Sequence, residues 1–541
     1  MKFKTPSQVE VYDTTLRDGA QGRGVSFSLQ DKLSLTLKLD EFGVSFIEGG
    51  WPASNPKDFE YFRAMGEYRL KQAKLVAFTS TRRKNLRVEE DPGVRDVLRS
   101  GVDVAAVVGS ASKFHVEKVL RTSLETNLDM ISDTLDYLTD HGIKVVFDAE
   151  HFFDGYKSCP DYALNAVKAA EEARAYRIVL CDTNGGALPH EIYDITSKVA
   201  SVLKTPLGIH CHNDSGMAVA NTIEAVLAGV IQVQGTINGL GERCGNADLC
   251  QVIPALELKL GVRALAVDKP KEERLKGLVK LSAYVYDLAN LPRNNYQPYV
   301  GKYAFAHKAG IHIDAVLKAC EAYEHIDPEL VGNRRMLTAS EIVGRAGVVS
   351  KAKEMGLQLS EDDPAVLEIL KEIKELEYQG YQLEDADATL FLIMLKHLGI
   401  YEEAFSILSW RTLIEARGNE LSTESSVKVR VGGETFYEGS EGLGPIHAQD
   451  LALRKALSRI YPEALNVKLV NYKVSVTDVG MGTASRVRVF IEFTDGKHEW
   501  ATVGVSANIV EASKKALVDG YDYYIQRLRN PWLKAKGNAM T

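Results

Sequence analysis

The stretch GIHCHND, residues 208–214, sets His210 and His212 either side of Cys211. Strand-like TPLGI precedes it and helical NTIEAVLAG follows, so the pair stands at the end of a β-strand. Alternate residues of a strand share a face, so the two imidazoles project together and Cys211 points the other way. Two neutral imidazoles converging on one point suit a borderline divalent cation. Two polar residues merely ending a strand is the competing reading, and the pair alone does not decide. A second cluster, DTTLRDGAQ, packs Asp13, Arg17, Asp18 and Gln21 into one short segment. A carboxylate beside an arginine is often only an ion pair. Asp18 with His210 and His212, however, makes a face of two histidines and one carboxylate with open positions, which suits a catalytic metal better than a structural one. Asn246, in the glycine-rich GLGERCGN, offers a further oxygen.

Bringing these segments together requires a particular scaffold. A strand-like run followed by a helix-like one recurs from Val9 onward: VEVYDTTL, FIEGG from Phe46, KLVAFTS from Lys74, VAAVVG from Val104, KVVFDAE from Lys144, RIVLCDT from Arg177, PLGIHCH from Pro206 and VQGTING from Val233. Eight such units predict a (β/α)8 TIM barrel over 1–265, with its active site at the C-terminal ends of the strands. Polar residues do gather there: Arg17 and Asp18, Glu48, Asp148 and Glu150, Asp182 to Asn184, the two histidines, and Asn246. A doubly wound sheet binds at one topological switch point and needs no polar strand ends all round.

From 266 to 405 the pattern turns helical, as in PAVLEILKEIKELEYQ, and predicts a helical subdomain. Within it, AFAHKAGIHIDAVLKACEAYEHIDPELVG crowds His307, His312 and His325 among carboxylates and Tyr323. From 406 to 541 an internal repeat appears: Val427-Lys428-Val429 answers to Val487-Arg488-Val489, Gly444 to Gly504, Ala452 to Ala512 and Lys455-Ala456-Leu457 to Lys515-Ala516-Leu517. Two copies of a β-rich unit closed by a helix predict an α+β regulatory domain with a two-fold repeat and a cleft for a small effector. A dimerisation domain without a ligand is the alternative.

Composition bounds the rest. The net charge of -8 argues against nucleic-acid binding, which calls for a basic patch or stripe. No window approaches the roughly 20 apolar residues of a membrane span, and MKFKTPSQVEVYDTT has no apolar run behind its lysines. Six cysteines without a CxxC pair fit reduced thiols, and the expected location is the cytoplasm.

Taken together, DTTLRDGAQ, HCHND, GLGERCGN and AGIHIDA resemble the family of acyl-CoA Claisen condensing enzymes comprising 2-isopropylmalate, homocitrate and citramalate synthases. EGGWPASNPKDFEYF and the chain length are most similar to the citramalate synthase branch. Two departures stand out: Ala20 where many members have Glu, and Gly-Gly after Glu48. The resemblance implies condensation of acetyl-CoA with pyruvate and water, on the route to 2-oxobutanoate and isoleucine. It implies a divalent metal (Mn2+, Mg2+ or Zn2+) on Asp18, His210 and His212 with Asn246 near. Arg17 would neutralise the developing alkoxide, held by Glu48; Glu150 and Thr183 would contact the 2-oxo acid; and His312, with Asp314 and Tyr323, would serve as the base, supplied by either subunit of a homodimer. An amino-acid effector, isoleucine, is expected on the C-terminal repeat.

The acceptor pocket is expected to be lined by Phe78, Thr79, Ala105, Val107, Phe147 and Asp148, with Phe78 and Phe147 excluding an isopropyl group and so favouring pyruvate. The rivals are 2-isopropylmalate synthase acting on 2-oxoisovalerate, homocitrate synthase, and a short lyase of the same barrel with a cysteine in a GxGGCP loop, where this chain has Cys244 in GERCGN. The non-enzymatic rival is a metabolite sensor with an inert barrel, which would not need acid, arginine and histidines at its strand ends.

Overall fold

The computed structural model describes residues 5–307, 312, 315–316, 318–337, 345–383, 385–418, 420–477 and 485–530. Internal contacts divide the chain into two units, one of Met1–Phe305 with Glu324–Arg335, the other of Ala306–Tyr323 with Met336–Thr541.

The first unit is a closed barrel of eight parallel strands in sequence order. They are β1 (Glu10–Asp13), β2 (Phe46–Gly50), β3 (Lys74–Ser80), β4 (Val104–Ser110), β5 (Lys144–Glu150), β6 (Arg177–Asp182), β7 (Leu207–Cys211) and β8 (Gln232–Gly235). β1 closes the ring against β8, with Tyr12 opposite Gln234. Strand alternation separates two cores. Tyr12, Phe46, Val76, Phe78, Val104, Ala106, Val146, Val179 and Cys181 fill the inside, whereas their neighbours, among them Ala105, Val107 and Phe147, pack outward into a larger cluster. Helix starts are set locally: Ser28 and Asp31 form a capping box before Leu29–Phe42, and Asn55 and Asp91 each cap a helix whose first residue is proline.

In the second unit, helices Arg345–Glu354, Pro364–Tyr378 and Asp387–His397 precede two three-stranded antiparallel sheets. One sheet is Phe405–Arg417, Glu420–Val431 and Glu434–Glu441, closed by helix Pro445–Leu457; the other is Lys468–Val476, Val487–Thr494 and Glu499–Ser506, closed by Ile509–Arg529. The internal repeat is therefore present, but its residue equivalences shift. A bulge between Ile407 and Ser409 matches one between Leu469 and Asn471, and the helix caps are Gly444 and Asn508. Gly504, expected to match Gly444, lies inside a strand where the final helix crosses, and a Cβ there would sit 2.1 Å from the Ala512 carbonyl oxygen. Period-two identity leaves strand register free to slide by two, and the matching bulges fix it. Among the described residues no helix is long and apolar enough to cross a membrane.

Candidate active site

His210 lies near the end of β7 and His212 directly after it, and their Nε2 atoms face one another at 3.3 Å. Asp18, just past β1, places Oδ2 3.7 Å from His210 Nε2. These three are buried, and their donor atoms converge. Burial holds both imidazoles below their ordinary pKa, His212 at about 4, so each is neutral at pH 7. Burial is the largest influence and would raise the Asp18 carboxyl, but Arg17, the two histidines and the Asn246 hydrogen bond together outweigh it and hold the group at about 2. A carboxylate and two neutral imidazoles are the protonation states that a cation requires. The spacing also fits, since tetrahedral bonds of about 2.0–2.1 Å place donors roughly 3.3 Å apart.

Asn246 is brought in by backbone pairing: Asn213 N–H donates to the Gly245 carbonyl at 2.9 Å, and Ala247 N–H to the Cys211 carbonyl at 2.9 Å. Its Nδ2 donates to Asp18 Oδ1 at 3.1 Å, while its Oδ1 is buried without a partner among the described residues. Gly241 makes room for it; with φ +147°, a Cβ there would lie 2.3 Å from Asn246 Nδ2. The orphaned oxygen supports Asn246 as an oxygen donor beside the triad.

Arg17 is anchored on two sides, Nε donating to Glu48 at 2.7 Å and Nη1 to Asp18 at 3.1 Å, with its guanidinium 4.0 Å above the Phe78 ring. Among the described residues Nη2 makes no hydrogen bond. Glu48 is fully buried and also accepts from Tyr12 Oη at 2.8 Å and from Thr14 Oγ1. With its oxygens so committed, Glu48 fixes the arginine. The Gly-Gly after Glu48 has a steric cause, since a Cβ on Gly49 would lie 2.2 Å from the Tyr61 ring.

Asp148 lies inside the barrel at β5, and burial followed by the charge of Glu48 raises its pKa to about 7. It accepts from Gln234 Nε2 at 3.1 Å, and Gln234 Oε1 lies 3.1 Å from His210 Nδ1. Gln234, Tyr12 and Thr14 were not among the expected site residues; the only sequence signal for Gln234 is a polar residue at an inward position of β8. Thr183 Oγ1 accepts the His151 N–H at 2.8 Å, and Glu150 stands half-buried at the β5 end. In the second unit the rings of His312 and Tyr323 stack at 4.0 Å, while Asp314 lies outside the described residues.

The expected acceptor pocket needs correction. Ala105, Val107 and Phe147 belong to the outward cluster, and the Phe147 ring lies where a Cβ on Gly109 would be 2.8 Å away. The inner wall is Phe78, Ala106 and Val108, with Trp51 edge-on to Phe78 at 5.4 Å. The expectation took the outward set of alternate residues on β4 and successive residues on β3 and β5, whereas only one alternate set on each strand faces inward.

Residues 8–276 match the HMGL-like family model, 299–380 the homocitrate synthase post-HMGL domain-like model, and 384–525 the LeuA allosteric (dimerisation) domain. The (R)-citramalate synthase of Sulfolobus acidocaldarius is 50% identical over 518 residues, covering 96% of this chain and 97% of that protein. The chain belongs to the citramalate synthase family. A further citramalate synthase, from Aquifex aeolicus, is 49% identical over 96% of this chain and 98% of its own. A probable 2-isopropylmalate synthase from Methanopyrus kandleri is 35% identical over 97% and 100%.

Proposed function

We propose that this chain condenses acetyl-CoA with pyruvate and water to give citramalate and CoA. The observation that carries this reading is end-to-end similarity to (R)-citramalate synthases at 45–50% identity, against 35% for the 2-isopropylmalate relative.

Asp18, His210 and His212, with Asn246, are the residues that would hold Mn2+, Mg2+ or Zn2+. A bound ion supplies Lewis acidity at a keto oxygen and a frame for the neighbouring carboxylate. Arg17 keeps Nη2 for the oxygen on which charge develops, where a preorganised donor counts most. Glu48 acts through Arg17. Asp148, Glu150 and Thr183 contact the 2-oxo acid. His312, supported by Asp314 and Tyr323, takes the methyl proton of acetyl-CoA; this role rests on the motif resemblance. The methyl carbon then bonds to the keto carbon, the keto oxygen gains a proton, and water cleaves the thioester to release the CoA thiol.

Phe78, held against the Arg17 guanidinium and Trp51, sets a bulky ring on the inner wall, which favours an acceptor with no more than a methyl group. The deciding experiment is thiol release from acetyl-CoA with pyruvate, 2-oxobutanoate, 2-oxoisovalerate, 2-oxoglutarate and glyoxylate. Pyruvate should give the highest kcat/KM; 2-oxoisovalerate in that place would make the chain a 2-isopropylmalate synthase.

We further assign the repeat domain to homodimerisation and feedback by isoleucine, and the enzyme to the cytoplasm, where its six free cysteines stay reduced. A cavity of about 330 Å³ draws Trp410, Thr412 and Gln449 from one repeat and Asn508 from the other. The Trp410 indole N–H and Gln449 Oε1 are buried there without partners among the described residues, a donor and an acceptor suited to a zwitterion. Gln449→Leu should weaken inhibition by isoleucine; unchanged inhibition would place the effector elsewhere.

A further inference from the structure

A second group of two imidazoles and a carboxylate stands at the ends of β4 and β5. His115, Glu150 and His151 each offer one donor, and these atoms all lie within 4.8 Å of one another. The His115 and His151 rings are 4.8 Å apart and tilted by 44°, so the nitrogens converge without the rings stacking flat. His115 Nδ1 lies 3.5 Å from Glu150 Oε2 and 3.1 Å from Ser110 Oγ.

The backbone is bent to make this group. His151 has φ 55° and ψ 32°, a left-handed conformation that costs a β-carbon residue about 1 kcal/mol or more. Its N–H is tied to Thr183 Oγ1 at 2.8 Å, and the turn points the ring back toward His115 before helix Phe152–Ser158 begins. His151 Nδ1 also lies 3.8 Å from Asp154 Oδ2, an electrostatic neighbour rather than a hydrogen-bond partner, and Asp154 accepts from Asn184 Nδ2 at 2.5 Å. Burial lowers the pKa of His115 against the pull of Glu150, leaving that ring neutral and ready to ligate.

We propose that His115, Glu150 and His151 form a second cation site, distinct from Asp18, His210 and His212, selective for borderline transition metals of the Zn2+ and Co2+ class. The donor set of two nitrogens and one oxygen favours such ions over Mg2+, which prefers all-oxygen shells. Glu150 is one-third exposed and already lies 3.5 Å from His115 Nδ1, close to the roughly 3.3 Å donor spacing of a tetrahedral site. Binding at this site does not depend on the proposed reaction. Its consequence does: Glu150 is read above as contacting the 2-oxo acid, so an ion that captures it competes with that substrate.

The test is metal content per chain after equilibrium dialysis of the full-length protein against excess Co2+, with Co2+ visible absorption as a second readout. Wild type should hold two ions and His115→Gln one. His151→Asn should also hold one, and asparagine tolerates the left-handed backbone, so folding is preserved. His212→Ala should hold one, and the double variant His115→Gln with His212→Ala none. The ion retained by each single variant reports an intact fold. In turnover, excess Zn2+ should inhibit wild type competitively with the 2-oxo acid and inhibit His115→Gln at least tenfold less. One ion in wild type, or two that survive both His115→Gln and His151→Asn, overturns the second site. Loss of both ions in His212→Ala also overturns it as an independent site. Two ions with no inhibition would keep the site and sink only the reading of Glu150.

Discussion

His210 Nδ1 lies 3.1 Å from Gln234 Oε1. With Asp148 ionised, Gln234 spends its Nε2 on it at 3.1 Å, which leaves the amide oxygen as an acceptor, and His210 then carries its proton on Nδ1. The lone pair is then on Nε2, the atom that faces His212. Gln234 thus selects the tautomer that can ligate.

Gln234→Leu should weaken divalent metal binding by about 10- to 100-fold, the usual effect of losing an outer partner of a ligating histidine. Gln234→Glu keeps an acceptor for Nδ1 and should recover part of that affinity. Calorimetric titration of the apo protein with Mn2+ or Zn2+ measures both, and an unchanged affinity in the leucine variant would show that the tautomer is set elsewhere.

Arg17→Lys keeps the charge but cannot reach Glu48 and Asp18 and still present a third donor. Turnover should fall by about 10²–10³, the effect of losing one preorganised donor to a developing oxyanion, with metal content unchanged. A rate within a few-fold of wild type would reduce Arg17 to a partner of Glu48.

Phe78 and Phe147 separate the corrected pocket from the expected one. Phe78→Ala should shift the ratio of kcat/KM values toward 2-oxobutanoate by about tenfold or more, on the scale of 1–3 kcal/mol for one methylene. Phe147→Ala should leave that ratio unchanged but cost about 3–5 kcal/mol of stability, because the ring is fully buried in the outer core. Altered acceptor preference in Phe147→Ala would refute the inward and outward assignment.

Asp519 in the last helix accepts from Thr389 Oγ1 at 3.2 Å, and burial raises its pKa to about 7, with Lys396 opposing. A carboxyl whose folded pKa is raised contributes fully below its unfolded pKa near 4, and that contribution is lost as pH rises through 7. Asp519→Asn has no proton to lose, so between pH 5 and pH 8 its stability should gain on wild type by about 2–3 kcal/mol, read as a rise in its Tm relative to wild type. Equal Tm differences at pH 5 and pH 8 would show that Asp519 is ionised throughout.

Strand periodicity was enough to number the barrel strands and to place polar residues at their C-terminal ends, because β-strands and helices write their burial into local spacing. The convergence of Asp18 with His210 and His212 was legible for the same reason: HxH puts two side chains on one face whatever the rest of the chain does, and barrel topology brings strand ends to one mouth. The C-terminal repeat was legible as two β-rich units, but its register was not.

Only the tertiary structure decided which side of each strand faces inward. A period-two pattern has two phases, and on strands buried on both sides, such as VAAVV and KVVF, composition does not distinguish them; Phe147 fell on the wrong side for that reason. Tertiary contacts also decided what depends on residues far apart in sequence: that Tyr12, Thr14 and Arg17 saturate Glu48, that Gln234 bridges His210 to Asp148, and that His151 turns back on His115. Hydrogen bonds and ring contacts act over a few ångströms, and the strands that bring these atoms so close are joined by the barrel's closure, which no local pattern records.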